Sequence, residues 1–193
     1  MKTSKFFIRA VLCLALVTSF VSCNDNDDPE PVNEEELITD VVLTFTNVAN
    51  ANDTVVLTNN APDGQDGTFT NDVQGNFTAG ATYALTLSIQ NSSETPAEDV
   101  LNGDIIPEGD EHFFVYAVNG INLTMTRDND DVDGAGGSKL GVKTTWIAGA
   151  ASTGSVRIQL IHEPTTTDDS DNFGSATGGS NDLNITFQNV SIQ

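Results

Sequence analysis

The chain predicts an all-β body, an antiparallel β-sandwich of immunoglobulin-like or jelly-roll type. Three observations predict it. Eight or nine short stretches alternate apolar and polar residues with period two. Turns rich in Gly and Asp separate them every ten to fifteen residues. No apolar stripe at helical spacing is long enough to seat a helix against a core. An up-and-down barrel is the other way to close the same strands.

In order, Leu37–Asn47 puts Val41, Leu43 and Phe45 on one face, and Asp53–Thr58 is a second strand. Two Asp-Gly pairs in 59–67 form a turn leading to a short piece at Thr68–Asn71. Thr82–Asn91 alternates most cleanly, with Tyr83, Leu85, Leu87 and Ile89 facing one way. Ser92–Val100 reads as a loop or single turn, because no apolar stripe follows its Ser93 and Pro96 start signal. Glu111–Asn119 is nearly all apolar, as a strand covered on both faces would be. Asn119-Gly120 then predicts a type I′ hairpin pairing Phe113–Val118 with Ile121–Arg127. Lys139–Ile147 aligns Leu140, Val142 and Trp146, and 149–154 is a small-residue turn. Ser155–His162 aligns Val156, Ile158 and Leu160; after a soft loop at Pro164–Asp182, Leu183–Ile192 aligns Leu183, Ile185 and Phe187.

The first residues follow another logic. Met1–Arg9 holds Lys2, Lys5 and Arg9 and no acid, and Ala10–Phe20 is an apolar run too short to span a bilayer, which together make a secretory signal. It ends F-V-S-C at 20–23, which resembles a bacterial lipobox and makes Cys23 the lipid-bearing (palmitate) first residue of the mature chain. The expected organisation is a signal peptide at 1–22, an acidic disordered tether at 23–36 and one β-sandwich domain at 37–193. Asn24–Glu36 carries seven acids, three Asn and two Pro, a composition that cannot offset its ordering entropy. Acids directly after a lipidated Cys also resemble the surface-export signal of Bacteroidota lipoproteins. Cys13 leaves with the signal and Cys23 is consumed by lipid, so no disulfide is available and a core must supply stability.

Charge narrows the partners. Removing residues 1–22 leaves four basic residues against 28 acids, a formal charge of −24. A phosphate backbone would be repelled, so nucleic acid is excluded as a partner, and an anionic membrane face is disfavoured. The expected attachment is to the membrane through the N-terminal lipid.

Three constellations bear on chemistry. In Arg127–Gly137, oxygen donors at Asp128, Asn129, Asp131 and Asp133 ahead of Gly134 have the D-x-D-x-D-G spacing that converges on Ca²⁺, although Leu140 stands where an EF-hand has its Glu. The acid-rich loops around Asp63–Gly67 and Asp168–Asp171 are possible sources of a further ligand. His112 and His162, the only histidines, sit at opposite strand ends. If those strands are neighbours, the two imidazoles with Glu111, Asp110 or Glu163 suit zinc or copper. The competing reading is a pair of surface histidines in ordinary hydrogen bonds. Thr54, in Asp53-Thr54-Val55, resembles an O-glycosylation acceptor of exported Bacteroidota proteins. For catalysis the chain offers no G-x-S-x-G elbow, no free thiol, no H-E-x-x-H and no phosphate-cradling Gly loop, so no enzyme is expected. Trp146 and Tyr116 fall in core-like alternation rather than on a sugar platform.

P-E-P-V-N-E-E-E-L-I-T at 29–39, E-T-P-A-E-D-V at 94–100 and E-G-D-E-H-F-F at 108–114 together resemble a family of small flavobacterial lipoproteins labelled "type 1 periplasmic binding fold superfamily". The resemblance implies a surface or periplasmic lipoprotein and supplies no catalytic residue. The label implies two α/β lobes in about twice this length, whereas the residues here show no βαβ alternation, so the all-β reading is kept. The resulting expectation is a lipid-anchored, non-enzymatic binding or accessory module of the outer membrane or cell surface, possible partner to an outer-membrane receptor or transporter and to a cation. The alternative is a structural or adhesion lipoprotein without a small ligand.

Overall fold

The computed structural model describes residues 36–193; the expected signal peptide, Cys23 and the expected tether up to residue 35 lie outside the described residues. The strands, in chain order, are β1 (Asp40–Asn47), β2 (Asn50–Asn60), β3 (Thr70–Gln74), β4 (Thr82–Asn91), β5 (Glu98–Asp99) and β6 (His112–Asn119). They continue with β7 (Leu123–Arg127), β8 (Thr144–Ala148), β9 (Ser152–His162), β10 (Thr166–Asp168), β11 (Ser175–Thr177) and β12 (Ser180–Ile192). The only helical pieces among the described residues are a π-turn at Leu101–Ile105 and two 3₁₀ turns, at Gly109–Glu111 and Ala135–Gly137.

Two antiparallel sheets face each other. The larger runs β3-β2-β1-β4-β8-β7, with β5 paired to β4, and the smaller runs β12-β9-β6. Alternation produces this arrangement directly. Val41, Leu43 and Phe45 of β1 and Tyr83, Leu85, Leu87 and Ile89 of β4 are all buried, while their neighbours of opposite parity are less so. Facing them are Phe114 and Tyr116 of β6, Val156, Ile158 and Leu160 of β9, and Leu183, Ile185 and Phe187 of β12. At the centre Trp146 meets Phe45 edge-on at 5.3 Å and Tyr116 at 5.7 Å, an arrangement that favours ring edge over ring face. Trp146 and Tyr116 are core residues, as their alternation predicts.

Strand β6 is covered on both faces, as its composition requires. Phe113 and Val115 point away from the main core and pack with Ala135 and Ile161. Ala135 belongs to a 3₁₀ turn, and Ala176 of the β10–β11 hairpin packs against the same cluster. That hairpin lies within Pro164–Asp182, which the sequence presents only as a soft loop.

Three local expectations are corrected. Asn119-Gly120 does not close a β6–β7 hairpin: β6 pairs with β9, β7 pairs with β8, and the chain crosses from one sheet to the other at this point. Gly120 does adopt the positive φ that the dipeptide favours, 73°, but turn chemistry specifies a change of direction and not the partner. Partner choice is made by the core, where Ile121, Leu123 and Met125 bury their side chains. Lys139–Ile147 is not one strand, since β8 starts at Thr144 and Gly141, at φ 101°, breaks the extended chain. Ser92–Val100 is a loop only up to β5, after which Leu101 and Ile105 of the π-turn are buried.

Candidate metal centre

The register of β6 against β9 places His112 directly opposite His162. Both have inward parity, His112 with Phe114 and Tyr116 and His162 with Leu160 and Ile158, so the apolar columns of these strands each end in an imidazole. Both histidines are buried, and their rings stack with centroids 4.8 Å apart and 13° between planes. Asp182 arrives by a different route. Strict alternation from Leu183, Ile185 and Phe187 would turn it outward, but the β12–β9 register shifts between Asn181 and Leu183, and Asp182 is the extra residue. This bulge re-aims a side chain at the sheet end, and the Asp182 side chain is fully buried beside the histidines. Glu36, the residue before the Leu37–Thr39 lead-in to β1, completes the group with a side chain only 12% exposed.

These four residues each offer a ligand atom within 4.8 Å of the others. His112 Nδ1 lies 3.0 Å from the Glu108 carbonyl, which makes Nδ1–H the donor and leaves Nε2 to face the cluster. There Nε2 stands 3.7 Å from Glu36 Oε1 and 3.8 Å from Asp182 Oδ2, beyond hydrogen-bond reach of both. His162 Nδ1 is 3.9 Å from Asp182 Oδ1, and its Nε2 is 3.5 Å from Glu111 Oε2. His112 Nε2 and Glu36 Oε2 are buried without a hydrogen-bond partner, a costly condition for polar atoms. Tetrahedral metal bonds of about 2.0–2.2 Å place neighbouring donors about 3.3–3.6 Å apart. The His–carboxylate spacings of 3.7, 3.8 and 3.9 Å exceed that by a few tenths of an ångström, and with the whole group lying within 4.8 Å it would have to contract to close on an ion.

Electrostatics agree with a site for positive charge. The His112 imidazole holds the Glu36 carboxyl below its ordinary value, against the opposing effect of burial. Burial pushes the His112 imidazole down, but the adjacent Glu36 carboxylate, the hydrogen bond to the Glu108 carbonyl and the charge of Asp182 raise it above its ordinary value. The cluster therefore holds a proton on His112 more tightly than water does, as expected where carboxylates surround an imidazole.

A cavity of about 180 Å³, lined by Glu36, Asp182, Asp63, Gln65 and Asp66 among others, leads to the group from outside. The acid-rich loop at Asp63–Gly67 thus lines the mouth, where it would attract cations. A second, shallower group joins His162 to Glu111 and Glu163. Of the acidic partners weighed from the sequence, Glu111 and Glu163 do adjoin a histidine, whereas Asp110 belongs to neither group. Glu36 and Asp182 were missed. Glu36 reads as tether by composition, and no alternation rule turns Asp182 inward.

The Asp128–Asp133 loop is built differently from a calcium loop. Asp131 is buried, and its carboxylate accepts the amides of Val132, Lys143 and Gly141 at 3.0, 2.9 and 2.7 Å. Asp128 accepts the Thr145 hydroxyl at 2.9 Å, and Asp133 pairs with Lys139 at 2.7 Å. Among the described residues, Asp128, Asp131 and Asp133 do not gather into a common ligand group, and the alternate donors are spent on protein hydrogens instead. Asp131→Asn is expected to cost about 1–3 kcal/mol in urea unfolding, because an amide brings a donor to a pocket of three N–H groups. A change below 0.5 kcal/mol, the ordinary surface effect, would show that the pocket does not depend on the carboxylate. Thr54 is exposed on β2, so its hydroxyl is open to modification, while neighbouring Asp53 is held by Asn47, Thr78 and Tyr83.

Comparison with known proteins finds no matching family model, no similar curated protein and no similar solved structure.

Proposed function

We propose that this protein is a lipid-anchored, non-enzymatic binding module of the outer membrane, displayed at the cell surface, that holds a transition-metal ion between Glu36, His112, His162 and Asp182. The observation that carries the reading is the buried cluster itself, in which His112 Nε2 and Glu36 Oε2 have no hydrogen-bond partner and the four residues each offer a ligand atom within 4.8 Å of the others. Two imidazoles with two carboxylates suit zinc and copper better than calcium, which takes six to eight oxygens. Four protein ligands complete a tetrahedral shell and leave no position for substrate, which supports a binding role over catalysis. The Cys23 lipid anchor and acidic tether support display at the membrane, where such a module would serve a receptor or transporter as an accessory.

Isothermal titration of the mature chain with Zn²⁺ and with Cu²⁺ tests this. One ion per chain is expected, with at least tenfold weaker binding in His112→Gln and in Asp182→Asn and unchanged binding in Asp133→Asn. Absence of saturable binding to the wild-type chain, or unchanged affinity in both cluster variants, would overturn the reading.

A further inference from the structure

The smaller sheet carries a second feature that the metal centre does not use. Arg157 has opposite parity to Val156 and Ile158, so it stands on the outer face of β9. Its partners across the ladder are Ala117 on β6 and Thr186 on β12, both small, so the guanidinium lies over a shallow trough instead of between bulky neighbours. The β10–β11 segment closes over this trough and makes a cleft of about 600 Å³, within the size range of small-molecule sites. Polar groups line it: Gln159 and Asn181 from the sheet, Ser175 from β11 and Asp171 from the loop before it. A smaller groove of about 320 Å³ shares Arg157 and Ala117 and extends the trough past Thr186 and Gln188.

Arg157 is the exception among the basic residues of the body. Lys139 and Lys143 are paired with Asp133 and Asp130, and Arg127 donates to four backbone carbonyls. Among the described residues Arg157 forms no salt bridge, and its Nε is buried with no hydrogen-bond acceptor. A guanidinium presents parallel N–H donors matched to the two oxygens of a carboxylate. A ligand carboxylate in the cleft that Arg157 lines would supply the counter-charge this guanidinium lacks among the described residues.

We infer that this cleft binds a small hydroxylated carboxylic acid, its carboxylate on Arg157 and its hydroxyls on Gln159, Asn181, Ser175 and Asp171. The amides and the serine hydroxyl can donate or accept, as hydroxyls require, and Asp171 supplies an acceptor. The Asp171 carboxylate, whose Oδ1 accepts the Gly174 amide at 2.7 Å, also disfavours more highly charged anions such as phosphate.

The test is an NMR titration of the ¹⁵N-labelled mature chain, following the Arg157 Nε–H signal and the amides of β10 and β11. The probes are D-glucuronate, acetate and neutral D-glucose. Glucuronate is expected to shift these signals saturably, acetate to bind at least tenfold more weakly, and glucose to leave the Nε–H signal in place. Arg157→Gln is expected to weaken glucuronate binding at least tenfold while the amide signals of the larger sheet stay where they are. If the variant loses its dispersed spectrum, the wild-type Nε–H response decides alone. An Nε–H signal unmoved by glucuronate, or unchanged affinity in the folded variant, would overturn the site. Acetate binding as tightly as glucuronate would overturn the hydroxylated ligand.

Discussion

Arg127→Met should lower stability by about 3–5 kcal/mol, the cost of removing one side of a buried charged arrangement. Arg127 ends β7, and its guanidinium is buried. Nε donates to Asn172 O at 2.9 Å, Nη1 to Lys139 O at 2.7 Å, and Nη2 to Phe114 O at 2.6 Å and Phe173 O at 3.2 Å. The Phe113 ring covers the cation at 4.5 Å. One side chain thus ties the larger sheet to β6 of the smaller sheet and to two loops. Burial pushes the guanidinium down from its ordinary value, while Asp131, Asp169 and Asp171 favour its charge. Met fills similar length without donors, so the carbonyls lose their partners in a closed site. Gly141 shows how tightly the group is fitted: a Cβ there would run into the guanidinium, and its φ of 101° already excludes most side chains. For a body of this size the expected loss corresponds to a fall in Tm of about 6–20 °C. Arg127→Lys should recover less than half, because an ammonium cannot address four carbonyls in a planar fork. Urea unfolding of the three proteins decides it, and a loss below about 1 kcal/mol for Met, typical of an average substitution, would show that the carbonyls are satisfied by other means.

The residues that sequence reasoning read well are those whose role is local. Period-two alternation identifies β4 with its observed bounds, and it identifies the buried faces of β1, β9 and β12 because one wet and one dry side impose it. The same reasoning fails where a choice is made between distant segments. Asn119-Gly120 carries the right turn chemistry, yet β7 joins the opposite sheet. Arg127 precedes a run of Asp and looks like the edge of a solvated cation loop, whereas it is a buried tie whose acceptors are carbonyls that no sequence pattern marks. The proposed metal centre falls between these cases. Two lone histidines at strand ends raise the question of adjacency, and register answers it by pairing them. Asp182 was hidden by the bulge that makes it useful, and Glu36 by the acidic composition around it.

Zinc should raise the stability of the mature chain by about 4 kcal/mol when free metal exceeds Kd a thousandfold, since a ligand of the folded state alone stabilises by mass action. The pH dependence of that effect follows from the proton it displaces. His112 is raised above its ordinary 6.5 by its carboxylate surroundings. In the metal-free chain this contribution is fully present below 6.5, the unfolded value, and is lost as pH rises through the higher folded value. Glu36 is lowered from 4.5; its contribution is present above 4.5 and is lost as pH falls through the lower folded value. The metal-free cluster therefore contributes most between about 4.5 and 6.5, the two ordinary values, and weakens above that window. With zinc the slope on the alkaline side reverses. An imidazole must be deprotonated to bind the ion, so zinc stabilisation grows as pH rises past the folded value of His112 and fades on acidification before the Glu36 carboxylate takes a proton. Melting curves across pH 5 to 8, the range in which histidine charge changes, in chelator and in zinc should diverge as pH increases. His112→Gln should bring the two curves together by removing both the proton site and the ligand. Parallel curves in the wild-type chain would mean that zinc, if it binds, does so without His112.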